Sequence, residues 1–403
     1  MKRYWKIISI CLVTILVIGT FYIQSSLATD NHGKIDFEKV SGDEDELQNI
    51  MLYGNFLPDH SNVYQRLQIT SEATIDSTNL SFSQKVSRLG IPYNLEDLVE
   101  KHKNFMRAKG LRTNLIFEDE NVVAYATIKN PSERDFSFEI EVLTKTTEEI
   151  TSIQLDVPEK ENYGWMDVED VQVIDDELKV ITRGFRLDDR RYELRVYTFD
   201  MNKQQLISDD VIASIPEVEN GWSDVSILND TYSIQRQKYL LIKSESFEKE
   251  EGDNDGESRV AVKEFIVYDI ENNQSKKILG PNEILGSIAD SSTIHNSTLF
   301  IPSQSANGVE VNQYDIENDK WGETLSFDLS DMKDDGDFDG AFTKLINGKL
   351  YTIHETDHGY TIVISDLQTG ESLYEGKLKV TNQGEVQKNY SLYIYEIESV
   401  QKK

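Results

Sequence analysis

The 403-residue sequence predicts an all-β fold built from repeated four-stranded sheets, and three observations lead to this prediction. First, the segments VYDIENNQ (267–274) and QYDIENDK (313–320) are nearly identical. Second, PEKENYGWMDV (158–168) and PEVENGWSDV (216–225) match at eight positions when Tyr163 is treated as an insertion. Third, an apolar strand followed by a polar turn recurs five times, and the turns begin at residues 145, 201, 271, 317 and 368.

A second hairpin precedes each of these turns, so every unit supplies four short strands. The hairpins are predicted at 116–128, 171–183, 232–244, 293–302 and 344–354. Alternating Val, Ile, Tyr and Thr between polar turns is typical of half-buried antiparallel strands. A single four-stranded sheet cannot bury both of its faces, whereas sheets repeated around an axis pack on one another. The prediction is therefore a β-propeller of about six four-stranded blades, with seven as the alternative.

The predicted propeller covers residues 62–403. Its last unit holds one hairpin, within 385–399, and strands at 63–70 and 79–86 are expected to complete the ring. The segment NLEDLVEKHKNFMRAKG at 94–110 breaks the β pattern. Apolar residues at helical spacing, with Asn94 as the N-cap, predict one inserted helix there.

The N-terminal segment 1–28 predicts export. Three basic residues lie beside seventeen uncharged residues at 7–23, which favours a signal-anchor with an extracytoplasmic domain behind it. Small residues before position 29 also allow cleavage after Ala28, so a secreted form is the alternative. Residues 29–61 are acidic and are expected to form a tether between membrane and domain.

The net charge of −31 narrows the classes of partner. Such a charge repels nucleic acid phosphates and anionic lipid, so no nucleic acid partner and no membrane contact beyond the N-terminal helix are expected. The single cysteine, Cys11, lies in the N-terminal apolar run, which excludes a disulfide or a thiolate metal site in the folded domain.

The matching segments 158–168 and 216–225 form a Trp-Asp repeat. This repeat supplies the candidate ligand-binding residues, which are Trp165, Asp167, Trp222 and Asp224. Aromatic rings beside carboxylates can stack on a sugar or on a cationic ligand. The alternative is that each Trp fills the seam between two blades and each Asp holds a turn. In either case the motif is expected in the connection that precedes the first hairpin of a blade.

The segment DGDFDG at 335–340 is the candidate metal site. Asp335, Asp337 and Asp339 alternate along a loop that ends in glycine, a pattern that lets three carboxylates face one calcium ion. The loop lacks the acidic residues expected at its ninth and twelfth positions, where Thr343 and Ile346 stand. A calcium site and a solvated acidic turn therefore both stay open.

The segments YDIENN, YDIEND and SDLQTGE resemble the strand-turn-strand repeats of bacterial extracytoplasmic β-propeller proteins. This resemblance concerns the architecture. The predicted anchor, the repeats and the lack of catalytic motifs favour a non-catalytic cell-surface protein that binds an envelope protein or a glycan. Two alternatives stay open, namely a secreted hydrolase or lyase that acts on polysaccharide and a sensory ectodomain that regulates a neighbouring membrane protein. No nucleophile motif or phosphate-binding glycine loop is present in the sequence.

Overall fold

A computed structural model describes most of the chain. The described residues are 5–28, 34–58, 64–78, 91–130, 134–188, 190–216, 218, 221–228, 233–249, 258–289, 291–305, 308–329, 331–332, 341–382, 385–386 and 390–399. The chain divides into two compact units. Unit one comprises residues 1–90, 305–309 and 326–403, and unit two comprises residues 91–304 and 310–325.

Two sheets of unit one combine strands from both ends of the chain. The first sheet contains β1 (Lys34–Gly42), β22 (Phe342–Ile346), β23 (Lys349–Thr356), β24 (Gly359–Asp366), β25 (Ser372–Asn382) and β26 (Glu385–Val386). The second contains β2 (Ile50–Pro58), β3 (Gln65–Ile69), β4 (Thr74–Asp76) and β27 (Tyr390–Ser399). In the first, β1 pairs with β25, and in the second, β2 pairs with β27.

The predicted tether at 29–61 is wrong, because β1 and β2 occupy most of it. The physical reason is that the acidic residues of β1 alternate with apolar ones: Ile35 is buried whereas Glu38 is exposed. High charge therefore conceals a strand of period two. Of the predicted closing strands, 63–70 contains β3, and 79–86 lies outside the described residues.

Four more sheets follow in chain order. The third contains β5 (Ile116–Glu118), β6 (Val122–Lys129), β7 (Ser137–Thr144) and β8 (Glu149–Asp156). The fourth contains β9 (Tyr163–Ile174), β10 (Glu177–Arg186), β11 (Arg191–Asp200) and β12 (Gln205–Pro216). The fifth contains β13 (Gly221–Ile227), β14 (Tyr239–Lys249), β15 (Ser258–Asp269) and β16 (Gln274–Lys277). The sixth contains β17 (Thr293–His295), β18 (Thr298–Ser305), β19 (Gly308–Asp315), β20 (Lys320–Trp321) and β21 (Leu325–Asp328).

Helices make up a small part of the described chain. They are α1 (Trp5–Ala28), α2 (Tyr93–Lys101), α3 (Lys103–Met106), α4 (Asn282–Gly286) and the 3₁₀ helices Glu44–Leu47, Thr113–Leu115 and Lys160–Asn162. The single helix predicted at 94–110 is wrong, because His102 leaves helical geometry between α2 and α3 and Pro92 takes the N-cap position. Among the described residues, no helix combines the length and the hydropathy needed to cross a membrane.

The recurring turns explain why the chain repeats itself. Each of the five contains one residue in the left-handed region, with φ between 52° and 75°, namely Glu148, Gln204, Asn273, Asp319 and Gly370. In both YDIEN segments the tyrosine hydroxyl donates to that residue, from Tyr268 to Asn273 and from Tyr314 to Asp319. The same side chains therefore close the same turn twice.

Six antiparallel sheets of four principal strands confirm the predicted fold class, a β-propeller of six blades. Within unit two, the third and fourth sheets share one apolar core, which also holds residues of α2 and α3 such as Leu95, Leu98 and Phe105. A second core joins the fourth sheet to the fifth, through Ile181 and Val225 among others. The packed sheets thus hold their edge strands β9 and β13 in place.

Candidate functional site

The Trp-Asp repeat forms the beginning of two edge strands in unit two. β9 begins at Tyr163 and β13 at Gly221, so the motif lies within strands, and its predicted position in a connection is wrong. The hairpin predicted at 232–244 is also wrong. The first hairpin of the fifth sheet is formed by β13 and β14, because the second copy of the motif is itself a strand. Trp165 and Trp222 are 43% and 45% exposed, which is too open for residues that fill a seam between sheets.

Asp167 is held by an arginine that precedes the third sheet. The two Nη atoms of Arg112 donate to Oδ2 and Oδ1 of Asp167 at 2.9 and 3.1 Å. The backbone N–H of Val168 also donates to Oδ1, at 2.9 Å. The hydrogen bond to Asp167 raises the pKa of Arg112. Both carboxylate oxygens of Asp167 are therefore engaged in a charge-assisted, bidentate pair.

Arg183 on β10 joins the two copies of the motif. Its Nη2 donates to Oδ1 of Asp224 on β13, and its guanidinium carbon lies 5.5 Å from the centroid of the Trp165 ring. One cation thus pairs with the Asp of one copy and lies over the Trp of the other. Its Nε is buried and has no hydrogen-bond partner among the described residues.

Glu169 lies among these charges, two residues beyond Asp167 on β9. Burial raises the pKa of its carboxyl group. Asp167 and Asp224 raise this pKa further, whereas Arg183 and Arg112 lower it. A glutamate whose pKa is raised in this way keeps its proton at a higher pH than an exposed glutamate does, which is the property required of a general acid.

Asp170 follows Glu169 in the sequence, but its role is structural. It is buried, and its carboxylate accepts hydrogen bonds from the backbone N–H of Val171 at 2.9 Å and from Gln172 Nε2 at 3.1 Å. Burial raises the pKa of Asp170 to about 7. The side-chain oxygen of Gln172 accepts from the backbone N–H of Gln237 at 2.9 Å. Asp170 therefore belongs to the packing of β9 against the segment that precedes β14.

The two tryptophans have different surroundings. Trp222 stacks on its cross-strand neighbour Phe247, with centroids 3.9 Å apart and planes 14° apart. The cross-strand neighbour of Trp165 is Phe185, which packs on Tyr192 at 4.8 Å instead. Trp222 is consequently supported by another ring, whereas Trp165 lies against a cation.

The remaining charges beside Asp224 are also paired. Glu245 stands opposite Asp224 in the register of β13 and β14, and its Oε1 lies 2.7 Å from Lys243 Nζ. With Arg112–Asp167 and Arg183–Asp224, this makes three opposite-charge pairs around Glu169 and Trp222. The surface here is rich in hydrogen-bonding groups, yet its charges are locally compensated.

The structure brings the four predicted ligand-binding residues into one unit, where Arg183 connects the two copies. Arg112, Arg183 and Glu169 were not predicted. The sequence does contain a signal for Glu169. The two copies agree up to Asp-Val and then diverge: Glu169 and Asp170 of the first copy correspond to Ser226 and Ile227 of the second. The departure from the repeat marks the residue with the unusual carboxyl group.

The predicted calcium ligands Asp335, Asp337 and Asp339 lie outside the described residues. The part of the chain that the structure describes contains no group of three or more His, Cys, Asp or Glu side chains placed to hold a metal ion.

No protein-family model and no curated protein matches the sequence. Among solved structures, the chain is similar to the polysaccharide lyase Uly1, with 8% identity, a TM-score of 0.35 and coverage of 66% of this chain and 57% of that one. It is also similar to an acylaminoacyl peptidase from Pyrococcus horikoshii, with 13% identity, a TM-score of 0.32 and coverage of 72% and 45%. A third similar structure is a puromycin-hydrolyzing peptidase from Mycobacterium tuberculosis, with 10% identity, a TM-score of 0.32 and coverage of 86% of this chain and 53% of that one. The chain thus spans only about half the length of these proteins.

These neighbours are enzymes, and they contradict the prediction of a non-catalytic surface binder. The same neighbours contradict the expectation that the protein is not an enzyme. The alternative of a hydrolase or lyase agrees with the neighbours better. Likenesses this distant assign neither a substrate nor a residue role to this chain.

Proposed function

We propose that the protein is an extracytoplasmic hydrolase that cleaves glycosidic bonds of a polysaccharide at the site around Glu169. The observation that carries the proposal is the carboxyl group of Glu169, whose pKa burial raises and which shares its surroundings with Asp167, Asp224, Arg112 and Arg183. A carboxylic acid beside a carboxylate is the pair that glycoside hydrolysis uses.

The residues divide the reaction between them. Glu169 gives its proton to the glycosidic oxygen as the bond to the anomeric carbon breaks. A water molecule attacks that carbon and loses a proton to Asp224, so one water is consumed for each bond cleaved. We assign the base to Asp224 because Asp167 holds Arg112 with both oxygens, whereas Arg183 contacts Asp224 through Oδ1.

The paired arginines favour hydrolysis over elimination. A lyase acting on a uronate polymer must neutralise the substrate carboxylate with a cation. Here Arg112 and Arg183 already neutralise Asp167 and Asp224. A uronate would add a negative charge to a protein of net charge −31. A substrate without carboxylates meets neither obstacle.

The test is turnover by the full-length chain on a panel of neutral polysaccharides and polyuronates. New reducing ends without a new carbon–carbon double bond are expected on a neutral polymer. Glu169→Gln should lower the rate by a factor of about 10² to 10⁴, the usual contribution of a general acid. Glu177→Gln, which changes an exposed glutamate at the start of β10, is the matched control and should leave the rate unchanged.

Two results would refute this assignment: no turnover of any polymer, or an equal rate for the Glu169→Gln variant and wild type. An unsaturated product from a polyuronate would instead establish a lyase.

A further inference from the structure

We infer that the exposed face of Trp222 is a subsite for one uncharged sugar ring of the polysaccharide, and that Trp165 is not an equivalent second subsite. This inference deepens the proposed function and rests on it for the class of substrate. It comes from the difference between two tryptophans that the sequence repeat presents as equals.

Trp222 has the geometry of a rigid platform. One face lies on Phe247 at a centroid distance of 3.9 Å, and the residue is still 45% exposed. Stacking on a cross-strand partner fixes the ring before any ligand arrives, so little conformational entropy is lost on binding. An exposed, fixed indole face presents to a ligand the apolar surface that the C–H face of a pyranose can cover.

The apolar support behind the indole extends across two further strands. Phe247 is opposite Trp222 on one side and opposite Val260 of β15 on the other, and Val260 is 47% exposed. Aromatic and aliphatic side chains thus form one row at the same end of the fifth sheet. This row holds the indole from its covered side and leaves the other face to a ligand.

Hydrogen-bonding groups lie beside Trp222, and their charges are compensated. Asp224 is two residues from Trp222 on the same strand face, and it is paired with Arg183. Glu245, opposite Asp224, is paired with Lys243. Carboxylate oxygens accept hydrogen bonds from sugar hydroxyls, while the pairing leaves no excess charge to attract an ionic ligand. The chemistry therefore fits a neutral ring.

Trp165 is exposed to nearly the same extent, 43%, but the neighbour on its ring is a cation and not an aromatic side chain. The Arg183 guanidinium carbon lies 5.5 Å from the Trp165 ring centroid, and the same side chain binds Asp224. The indole thus supports the arginine that holds the proposed base. We therefore assign Trp165 a positioning role, and of the two tryptophans only Trp222 is held by a stacked aromatic partner.

Binding is tested separately from turnover. Calorimetry on the full-length chain carrying Glu169→Gln would use hexasaccharides of glucose, mannose, xylose and N-acetylglucosamine, with oligogalacturonate as the charged comparison. We expect one neutral series to bind. Trp222→Ala should weaken that binding about tenfold or more, as loss of an aromatic anchor does, and Trp222→Phe should retain most of it.

Trp165→Ala should bind within about threefold of the parent but should alter the pH profile of turnover in the otherwise wild-type chain, because it releases Arg183. Tyr393→Ala removes a 53% exposed aromatic of β27, in unit one, and is the matched control. Thermal melting verifies that each variant is folded.

The subsite and the activity fail in different ways. Unchanged affinity in Trp222→Ala, or stronger binding of oligogalacturonate than of every neutral series, overturns the subsite even if Glu169 proves catalytic. Loss of affinity in Trp222→Ala and Trp165→Ala alike overturns the inequality of the two tryptophans. Trp222-dependent binding without turnover in the wild-type chain overturns the hydrolase and leaves the subsite standing.

Discussion

Arg112 binds Asp167 through both Nη atoms, at 2.9 and 3.1 Å, and the two residues act on the Glu169 carboxyl in opposite directions. Asp167 raises the pKa of Glu169, and Arg112 lowers it. Because Glu169 must be protonated to act as the acid, the proposed activity should fall as pH rises through its pKa.

Asp167→Asn should therefore move this alkaline limb of the pH–rate profile to lower pH, and Arg112→Gln should move it to higher pH. The profile of kcat/KM reports the free enzyme and is the quantity to measure. Shifts of the two variants in the same direction would contradict the assignment of the limb to Glu169.

Asp170 predicts a pH-dependent stability. Its pKa is raised from 3.8 to about 7, so between these pH values the folded state retains a proton that the unfolded state releases. The free energy of unfolding should consequently decrease as pH rises through this window. Asp170→Asn should stabilise the protein by about 4 kcal/mol at pH 8 and have little effect near pH 4.

Urea denaturation at both pH values measures this difference. Asp175→Asn, an exposed turn residue on the same hairpin, should show none. An Asp170→Asn effect that is the same at pH 4 and pH 8 would show that packing, rather than ionisation, sets the cost.

Lys179 is 1% exposed, and its Nζ donates to the carbonyl of Ile270 and, at 2.7 Å, to Asn273 Oδ1. It thereby ties β10 to the turn of the fifth sheet. Lys179→Met should destabilise the fold by about 1–3 kcal/mol, since a buried carbonyl loses its charged donor. Lys203→Met removes an exposed lysine paired with Asp200 and should cost less than about 0.5 kcal/mol. Denaturant midpoints compare the two, and equal effects would argue against a tie at Lys179.

Gly42 ends β1 with φ at +83°, and a Cβ there would stand 2.0 Å from the carbonyl oxygen of Leu373. Gly42→Ala should therefore cost about 2 kcal/mol or more, because both the backbone conformation and the approach of β25 are incompatible with a side chain. Gly286→Ala, in α4, meets nothing within 4 Å and should be neutral or slightly stabilising. Thermal melts of the two variants make the comparison, and similar melting temperatures would contradict the close approach.

The periodic part of the fold could be predicted from the sequence because period-two strands and turn residues are local signals. All five predicted turns contain a left-handed residue. β1 escaped prediction because overall acidity outweighed the alternation in Lys-Ile-Asp-Phe-Glu. The partner of β1, and one of the two partners of β2, are almost a whole chain length away. Local pattern cannot reveal pairing over that distance.

The site could be predicted only in part, for a related reason. Trp165, Asp167, Trp222 and Asp224 were visible because they repeat, but repetition implied that the two copies do the same thing. Their difference arises from Arg183, which lies on another strand and contacts one residue of each copy. Contacts between strands and between sheets decide which carboxyl group is buried. The residue pattern along a single strand does not reveal these contacts.

The pairing of β1 with β25 and of β2 with β27 also bears on how the protein is made. A ribosome produces residues 34–58 long before residues 372–399, so β1 and the β2–β4 part of the second sheet lack their C-terminal partners for most of synthesis. During that interval their unpaired edges are open to other nascent chains. The order of translation, as much as the final contacts, sets how vulnerable each new molecule is to aggregation.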